Sequence, residues 1–195
     1  MQGDNKLRVM LVDEDPGRAA ILERALEDAG YVVAAKITSA TDLQGRVAAL
    51  QPDVIIIDME SPDRDTLEHM RGISRDQPKP IVMFAEQGDS DTIAQAVQAG
   101  VSAYIVDGLN AKRIKPIMDV AIARFREFQA LREELAQAKS SLAERKDIER
   151  AKGILMNQRG WSEDEAYQAL RKLAMDKNLR LAEVARNIIA VADLI

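Results

Sequence analysis

The strongest constraint on the fold is a run of four consecutive β-branched residues, Val-Ile-Ile-Ile, at positions 54–57. A run without polar alternation is typical of a central strand that is covered on both faces of a parallel sheet. Helical patterns alternate with this run and with further short apolar runs, so we predict an α/β fold with a doubly wound, five-stranded parallel sheet. The other predicted strands are residues 7–12, 32–37, 81–85 and 103–106.

Beyond about residue 111 the pattern changes to that of a long helix. Up to Arg159 this segment contains one glycine, Gly153, and one proline, Pro116. Its apolar residues follow the 3-4 spacing of a coiled coil and are flanked by charged residues. We therefore predict a homodimer formed along this stripe, the alternative being a helix that packs on its own domain. The stripe consists of Phe128, Leu131, Leu135, Ala138 and Leu142.

The last fifty residues have the pattern of three short amphipathic helices, which must bury their apolar faces against one another as a small all-α bundle. The first ends at Arg159-Gly160, and Ser162 opens the second with a capping-box pattern. We expect Gly153 and Ala151 to permit close helix approach, and Trp161 to fill the core at the turn.

Composition excludes several classes of function. The chain of 195 residues has no cysteine and one histidine, His69, so thiol chemistry, a disulfide framework and a Ser-His-Asp triad lack material. Its longest apolar runs fall short of the roughly 18 residues that cross a bilayer, and its N-terminus lacks the pattern of a signal peptide. We predict a cytoplasmic protein that is not an enzyme.

Charge is unevenly distributed along the chain. The net charge is −5, from 27 Lys and Arg against 32 Asp and Glu. Residues 145–195 carry ten basic and eight acidic residues, a balance of +2, which leaves 17 against 24, or −7, for the remainder. A nucleic-acid site is therefore expected in the C-terminal part, where net negative charge does not oppose phosphate.

Acidic residues follow two of the predicted strands. Asp13 and Glu14 come directly after the first strand, and Asp58 follows the β-branched run. Ligands gather at the carboxyl ends of parallel strands, and clustered carboxylates favour Mg²⁺. With the metal bound, Asp58 could accept a phosphoryl group as an acyl phosphate. The alternative is that these are solvated loop acids.

Residues 6–125 resemble the receiver domain of bacterial response regulators, in the stretches VMLVDEDP and PDVIIIDMESPD. The resemblance implies a CheY-like fold, Asp58 as the phospho-acceptor, Asp13 and Glu14 as Mg²⁺ ligands, and the Glu60 carbonyl as a further ligand. Two positions depart from the family pattern. Ala85 stands where a switch Ser or Thr is expected, and Asp107-Gly108 stands where Lys-Pro is expected. We therefore expect signalling that does not depend on phosphate.

Residues 148–192 resemble the ANTAR domain, a three-helix RNA-binding module of transcription antiterminators, in AKGILM, EAY, LRKLAM and VARNII. Residues 126–147 would then form the coiled-coil linker helix. The whole chain is similar to the NasT and AmiR group, and its VDGL segment is especially like the antiterminators of nitrate and nitrite assimilation. The resemblance implies paired leader hairpins as target and release from a nitrate-sensing protein, the alternative input being a histidine kinase.

The expected RNA contacts are basic and aromatic residues of this module. Lys152 and Arg159 share a stripe of the first helix, while Tyr167 and Arg171 form an i, i+4 pair suited to unpaired bases and their phosphates. Arg150 and Lys172 are further candidates, and the alternative is that Tyr167 packs in the bundle. The rival functions are a DNA-binding response regulator, a phosphohydrolase using Asp58, and a protein that acts only by protein interaction.

Overall fold

The computed structural model describes residues 6–40, 42–106 and 111–192, and the chain divides into two compact units, 1–129 and 130–195. In chain order the elements are β1 (Arg8–Asp13), α1 (Pro16–Asp28), β2 (Val32–Ile37), α2 (Leu43–Leu50), β3 (Val54–Met59), α3 (Arg64–Asp76), β4 (Ile81–Ala85), α4 (Ser90–Gln98), β5 (Ala103–Val106), α5 (Ala111–Arg159), α6 (Glu163–Lys177) and α7 (Leu181–Ala192).

The first unit contains a five-stranded sheet in the order β2-β1-β3-β4-β5, and every neighbouring pair is parallel. The β-branched run lies in β3, the central strand, whose six residues are all buried. This confirms the doubly wound parallel fold, including its central strand. The helix α3, between β3 and β4, completes the alternation of strands and helices.

Alternate residues of each strand enter separate hydrophobic cores on the two faces of the sheet, as the two-residue period of a strand requires. On one face Ile55 and Ile57 pack with Met83. On the other, Ile56 and Phe84 pack with side chains from α1 and from the start of α5. Helices therefore cover both faces of the sheet. The carboxyl ends of β1 and β3 lie at its edge, where a ligand site can form.

Aspartate N-caps, and a glycine in the left-handed backbone conformation, set the ends of several helices in this unit. Asp15, Asp63 and Asp89 each accept hydrogen bonds from backbone N–H groups at the start of α1, α3 and α4. Gly100, with a φ of +101°, follows α4 in the conformation that favours glycine. The loops after β1, β3 and β4 are thereby held by hydrogen bonds.

The helix α5 continues without a break to Arg159, so the predicted first helix of the C-terminal bundle is the end of the long helix. The bundle is closed by α6 and α7 around a small core of Ala151, Leu170, Ala174, Val184, Ala185 and Ile189. None of the described helices is long and apolar enough to cross a membrane.

Two expectations about the bundle were wrong. Trp161 is 37% exposed and does not fill the core, because the turn places it outside the small cluster of buried residues. A Cβ added at Gly153 would meet no atom within 4 Å, so this glycine does not mark a close approach between helices. Ala151, in contrast, is fully buried in the core, as expected.

Candidate functional site

The acidic site of the receiver-like unit is built on β1 and β3. Asp13 ends β1 and lies directly opposite Asp58 in the register of the two strands. Both residues are buried, whereas Glu14 and Glu60 are exposed. The structure therefore brings two of the predicted carboxylates together, and Glu14 remains at the surface.

Arg18, which was not predicted, places its guanidinium beside this pair. Its Nη2 atom lies 3.3 Å from Asp13 Oδ1, and its Nη1 atom donates to Glu86 Oε1 at 3.1 Å. The side chain starts in the first turn of α1, because Asp15 caps that helix and Pro16 opens it. The acidic pair is therefore compensated by a cation from the protein itself.

Burial raises the pKa of Asp58, the charge of Arg18 opposes this rise, and the neighbouring charge of Asp13 adds to it. The folded-state pKa lies above that of the unfolded chain, so ionisation of Asp58 destabilises the fold as pH rises through the folded pKa. The ionised form of Asp58 is thus held at a cost in stability, which a nearby cation reduces.

The donor set fits a hard cation in part. Asp13 Oδ2 is buried without a hydrogen-bond partner, and a carboxylate oxygen of this kind suits Mg²⁺. Within the described residues, however, no group of three or more His, Cys, Asp or Glu side chains could hold a metal ion. The Glu60 carbonyl accepts hydrogen bonds from the N–H groups of Glu86 and Gln87, at 3.3 and 3.4 Å. The Glu60 carbonyl is therefore already engaged by backbone donors, and the Mg²⁺ roles of Asp13, Glu14, Asp58 and Glu60 stay predictions.

The side of the site that would contact a phosphoryl group lacks a hydroxyl. Ala85 is buried at the end of β4 and pairs with Met59 in β3. The Tyr104 hydroxyl donates to the Gln87 carbonyl at 2.9 Å, which fastens the loop after β4 to β5. Asp107-Gly108, which stands where the family has Lys-Pro, lies outside the described residues.

In the C-terminal unit, Tyr167 and Arg171 line one open cleft of about 690 Å³ between α6 and the start of α7. Tyr167 is 38% exposed, so its ring is not a core side chain. Arg180, which precedes α7, lines the same cleft and was missed. Its position next to the start of an amphipathic helix was the only signal in the sequence.

Lys152 does not have the surface position that was predicted for an RNA contact. It is only 7% exposed, and its Nζ atom lies 2.9 Å from Glu149 Oε1 and 2.6 Å from Glu163 Oε1. The hydrogen bonds that its ammonium donates to Glu163 and Glu149 raise its pKa, so the ammonium stays charged. Glu163, at the start of α6, pairs with Lys152 and helps to bury it, and the role of Lys152 in RNA contact stays a prediction.

The remaining predicted RNA contacts, Arg150, Arg159 and Lys172, are exposed. Arg159 ends α5, and Lys172 follows Arg171 on α6. Neither Arg159 nor Lys172 forms an ion pair with any residue that the structure describes. Their roles in RNA contact stay predictions.

The predicted dimerisation stripe is a solvent-facing apolar row on α5. The side chains of Phe128, Leu131, Leu135 and Leu142 are between 54% and 56% exposed. Large apolar side chains repeated at this spacing on one helix are typical of a surface that a second helix covers. Their dimerising role stays a prediction at this point.

A doubly wound receiver fold with a buried aspartate pair, followed by a helical bundle, defines a response regulator with a helical output module. The comparisons agree with this class. The family described as response regulator receiver domain matches residues 9–119, and the ANTAR domain family matches residues 136–189. The chain belongs to the response regulator family and carries an ANTAR domain as its output module.

Two relatives illustrate the similarity. The transcriptional regulatory protein PdtaR of Mycobacterium tuberculosis is 28% identical over 182 residues, 93% of this chain and 89% of the relative. The nitrate regulatory protein of Klebsiella oxytoca is 42% identical over 88 residues, 45% of this chain and 22% of that relative.

Solved structures support the fold of the first unit. A putative pilus assembly-related protein of Burkholderia pseudomallei has a TM-score of 0.56 at 24% identity and covers 64% of this chain and 95% of its own. The receiver domain of a modulated diguanylate cyclase from Desulfovibrio desulfuricans has a TM-score of 0.55 at 20% identity, covering 63% and 98%.

Proposed function

We propose that this protein is a cytoplasmic, RNA-binding transcription antitermination regulator that binds paired hairpins in a nascent leader transcript. The observation that carries the proposal is the exposed pair of Tyr167 and Arg171 in one cleft of the ANTAR domain. An aromatic ring beside a guanidinium suits unpaired loop bases and their phosphates. Stabilised hairpins would compete with a terminator, so that polymerase continues into the operon.

Two protomers are proposed to pair through α5 as a parallel coiled coil. With Phe128, Leu135 and Leu142 at position a, the flanking g positions are Glu127 and Glu134 and the e positions are Arg132 and Lys139. In a parallel dimer each g residue faces the e residue five positions later on the other helix, which pairs each Glu with a cation. An antiparallel dimer would place like charges together, so it is disfavoured.

The proposed input is release from a nitrate-sensing partner protein, because a nitrate regulatory protein is among the relatives. Ala85 supports an input other than phosphate, since no hydroxyl is available there to bind a phosphoryl oxygen. Phosphorylation by a histidine kinase is the second candidate, and the buried Asp58 opposite Asp13 favours it. An Asp58→Ala variant separates the two, because partner control survives it and phosphate control does not.

The function is tested with a synthetic two-hairpin RNA selected from a pool with randomised loops on the wild-type protein. Arg171→Ala is expected to weaken binding by about 10-fold and to reduce the salt dependence by about one phosphate contact. Mobility shifts at several salt concentrations measure both. Arg75→Ala, an exposed arginine of the receiver domain, is the matched control. Failure to enrich any RNA over a scrambled-loop sequence would sink the proposal.

The affinity of the acidic site for Mg²⁺ is expected to rise when Arg18 is removed. Its guanidinium competes with the metal for Asp13, and losing a partly exposed positive charge at this distance corresponds to about 10-fold in affinity. Titration calorimetry of Arg18→Ala with MgCl₂ measures this. Arg24→Ala, on an exposed position of the same helix, should leave Mg²⁺ affinity unchanged. Equal affinity in all three proteins would show that Arg18 is not the competing cation.

A further inference from the structure

The cleft between α6 and α7 has one wall that follows a single face of α6. Tyr167, Arg171 and Met175 recur at four-residue intervals, which places them on one side of a helix. Arg180 and the first residues of α7 also line it. We call this cleft, of about 690 Å³, the base cleft.

The base cleft combines exposed flat or flexible apolar groups with cations. Met175 is 73% exposed and Tyr167 is 38% exposed. Arg171 and Arg180 form no side-chain ion pair with any residue in the described part of the chain. Such a surface is complementary to a ring that stacks and to an anion beside it.

The one acidic residue among the described residues that line the base cleft, Glu183, has its carboxylate engaged by a backbone donor. The Glu183 carboxylate accepts a hydrogen bond of 2.9 Å from the N–H of Arg180, at the start of α7. This position at a helix N-terminus offsets the negative charge of Glu183. The two arginines therefore determine the electrostatic character of the cleft.

Asn178 supplies a polar group that the fold itself does not use. Its backbone takes the left-handed conformation, with a φ of +52°, and its N–H ends α6 by hydrogen bonding to Ala174 and Met175 carbonyls. Its side-chain amide has no hydrogen-bond partner among the described residues. An amide has both a donor and an acceptor, as the edge of a base requires.

We propose that the base cleft binds one nucleotide that is turned out of a hairpin loop. Its base stacks on Tyr167, its phosphate contacts Arg171 and Arg180, and Asn178 hydrogen bonds to the edge of the base. The proposal rests on the RNA-binding function and specifies its site, adding Arg180 and Asn178 to the contact residues. It commits to an unpaired base because only a single-stranded nucleotide exposes both its face and its edge.

The test combines abasic substitutions in the loops of the selected two-hairpin RNA with Tyr167→Ala. On the wild-type protein, removing the base at one loop position should weaken binding by about 10-fold or more. On Tyr167→Ala the same removal should cost less than about 2-fold, because the ring on which the base stacked is gone. Leu173→Ala, an exposed α6 residue outside the base cleft, is the control that keeps the full abasic penalty.

An abasic penalty that persists in full on Tyr167→Ala overturns the base cleft while RNA binding itself stands. A wild-type protein that binds no RNA overturns both proposals. Asn178→Gly gives a second readout, since glycine keeps the left-handed turn and removes only the amide. It should reduce discrimination among the four bases at the sensitive position from about 10-fold to below about 3-fold. Unchanged discrimination would contradict the role of Asn178.

Discussion

Leu135→Glu is expected to convert the proposed dimer into monomers and to weaken binding to a two-hairpin RNA by about 100-fold. Leu135 lies at a central a position of the stripe on α5 and is 54% exposed in the single chain. In the parallel dimer it would face its own copy, so the substitution buries two like charges against each other. Sedimentation equilibrium measures the dimer, and mobility shifts on one-hairpin and two-hairpin RNAs measure the consequence.

The loss should be confined to the two-hairpin RNA, because avidity requires two linked modules whereas one hairpin needs only one. Ala130→Glu introduces the same side chain at an exposed position of α5 that lies outside the a and d positions of the stripe. It is expected to leave both the dimer and the affinity unchanged. A Leu135→Glu protein that sediments as a dimer would refute the pairing. Equal losses on both RNAs would show that dimerisation does not supply the affinity.

Leu170→Ala is expected to lower the free energy of unfolding of the ANTAR domain by about 2–5 kcal/mol. Leu170 is fully buried in a core of six residues, three of which are alanines. So small a core has little stability in reserve, and one lost leucine removes much of its apolar packing. Hydrogen exchange should show loss of protection in α6 and α7, with β3 still protected, and RNA binding should disappear.

Leu173→Ala removes the same atoms three residues later on α6, where the side chain is 39% exposed. Less buried area is lost there, so a change below about 1 kcal/mol is expected. Comparing the two leucines separates the hydrophobic core from general effects on helix propensity. Protection of α6 that is equal in both variants would contradict the assignment of Leu170 to the core.

Lys152 and Arg18 show where the sequence pattern was insufficient. Helical spacing placed Lys152 on a stripe with Arg159, but the spacing does not say whether another element covers that stripe. Glu163 of the next helix forms an ion pair with Lys152, and the Lys152 side chain is buried. Arg18 looks like an ordinary helix residue in sequence, and only the packing of α1 beside β1 brings it to Asp13.

The sequence by itself determined the parallel sheet, the long helix and the pair of acidic strand ends. Each of these follows from local periodicity or from strand position, since residues 54–57 had to be covered on both faces wherever their neighbours lay. The tertiary structure decided which charges meet. Arg18 reaches Asp13, Lys152 is enclosed by two glutamates, and Arg180 lines the base cleft together with Tyr167. Contacts between separate elements depend on how those elements pack, and the periodicity within one element does not determine that packing.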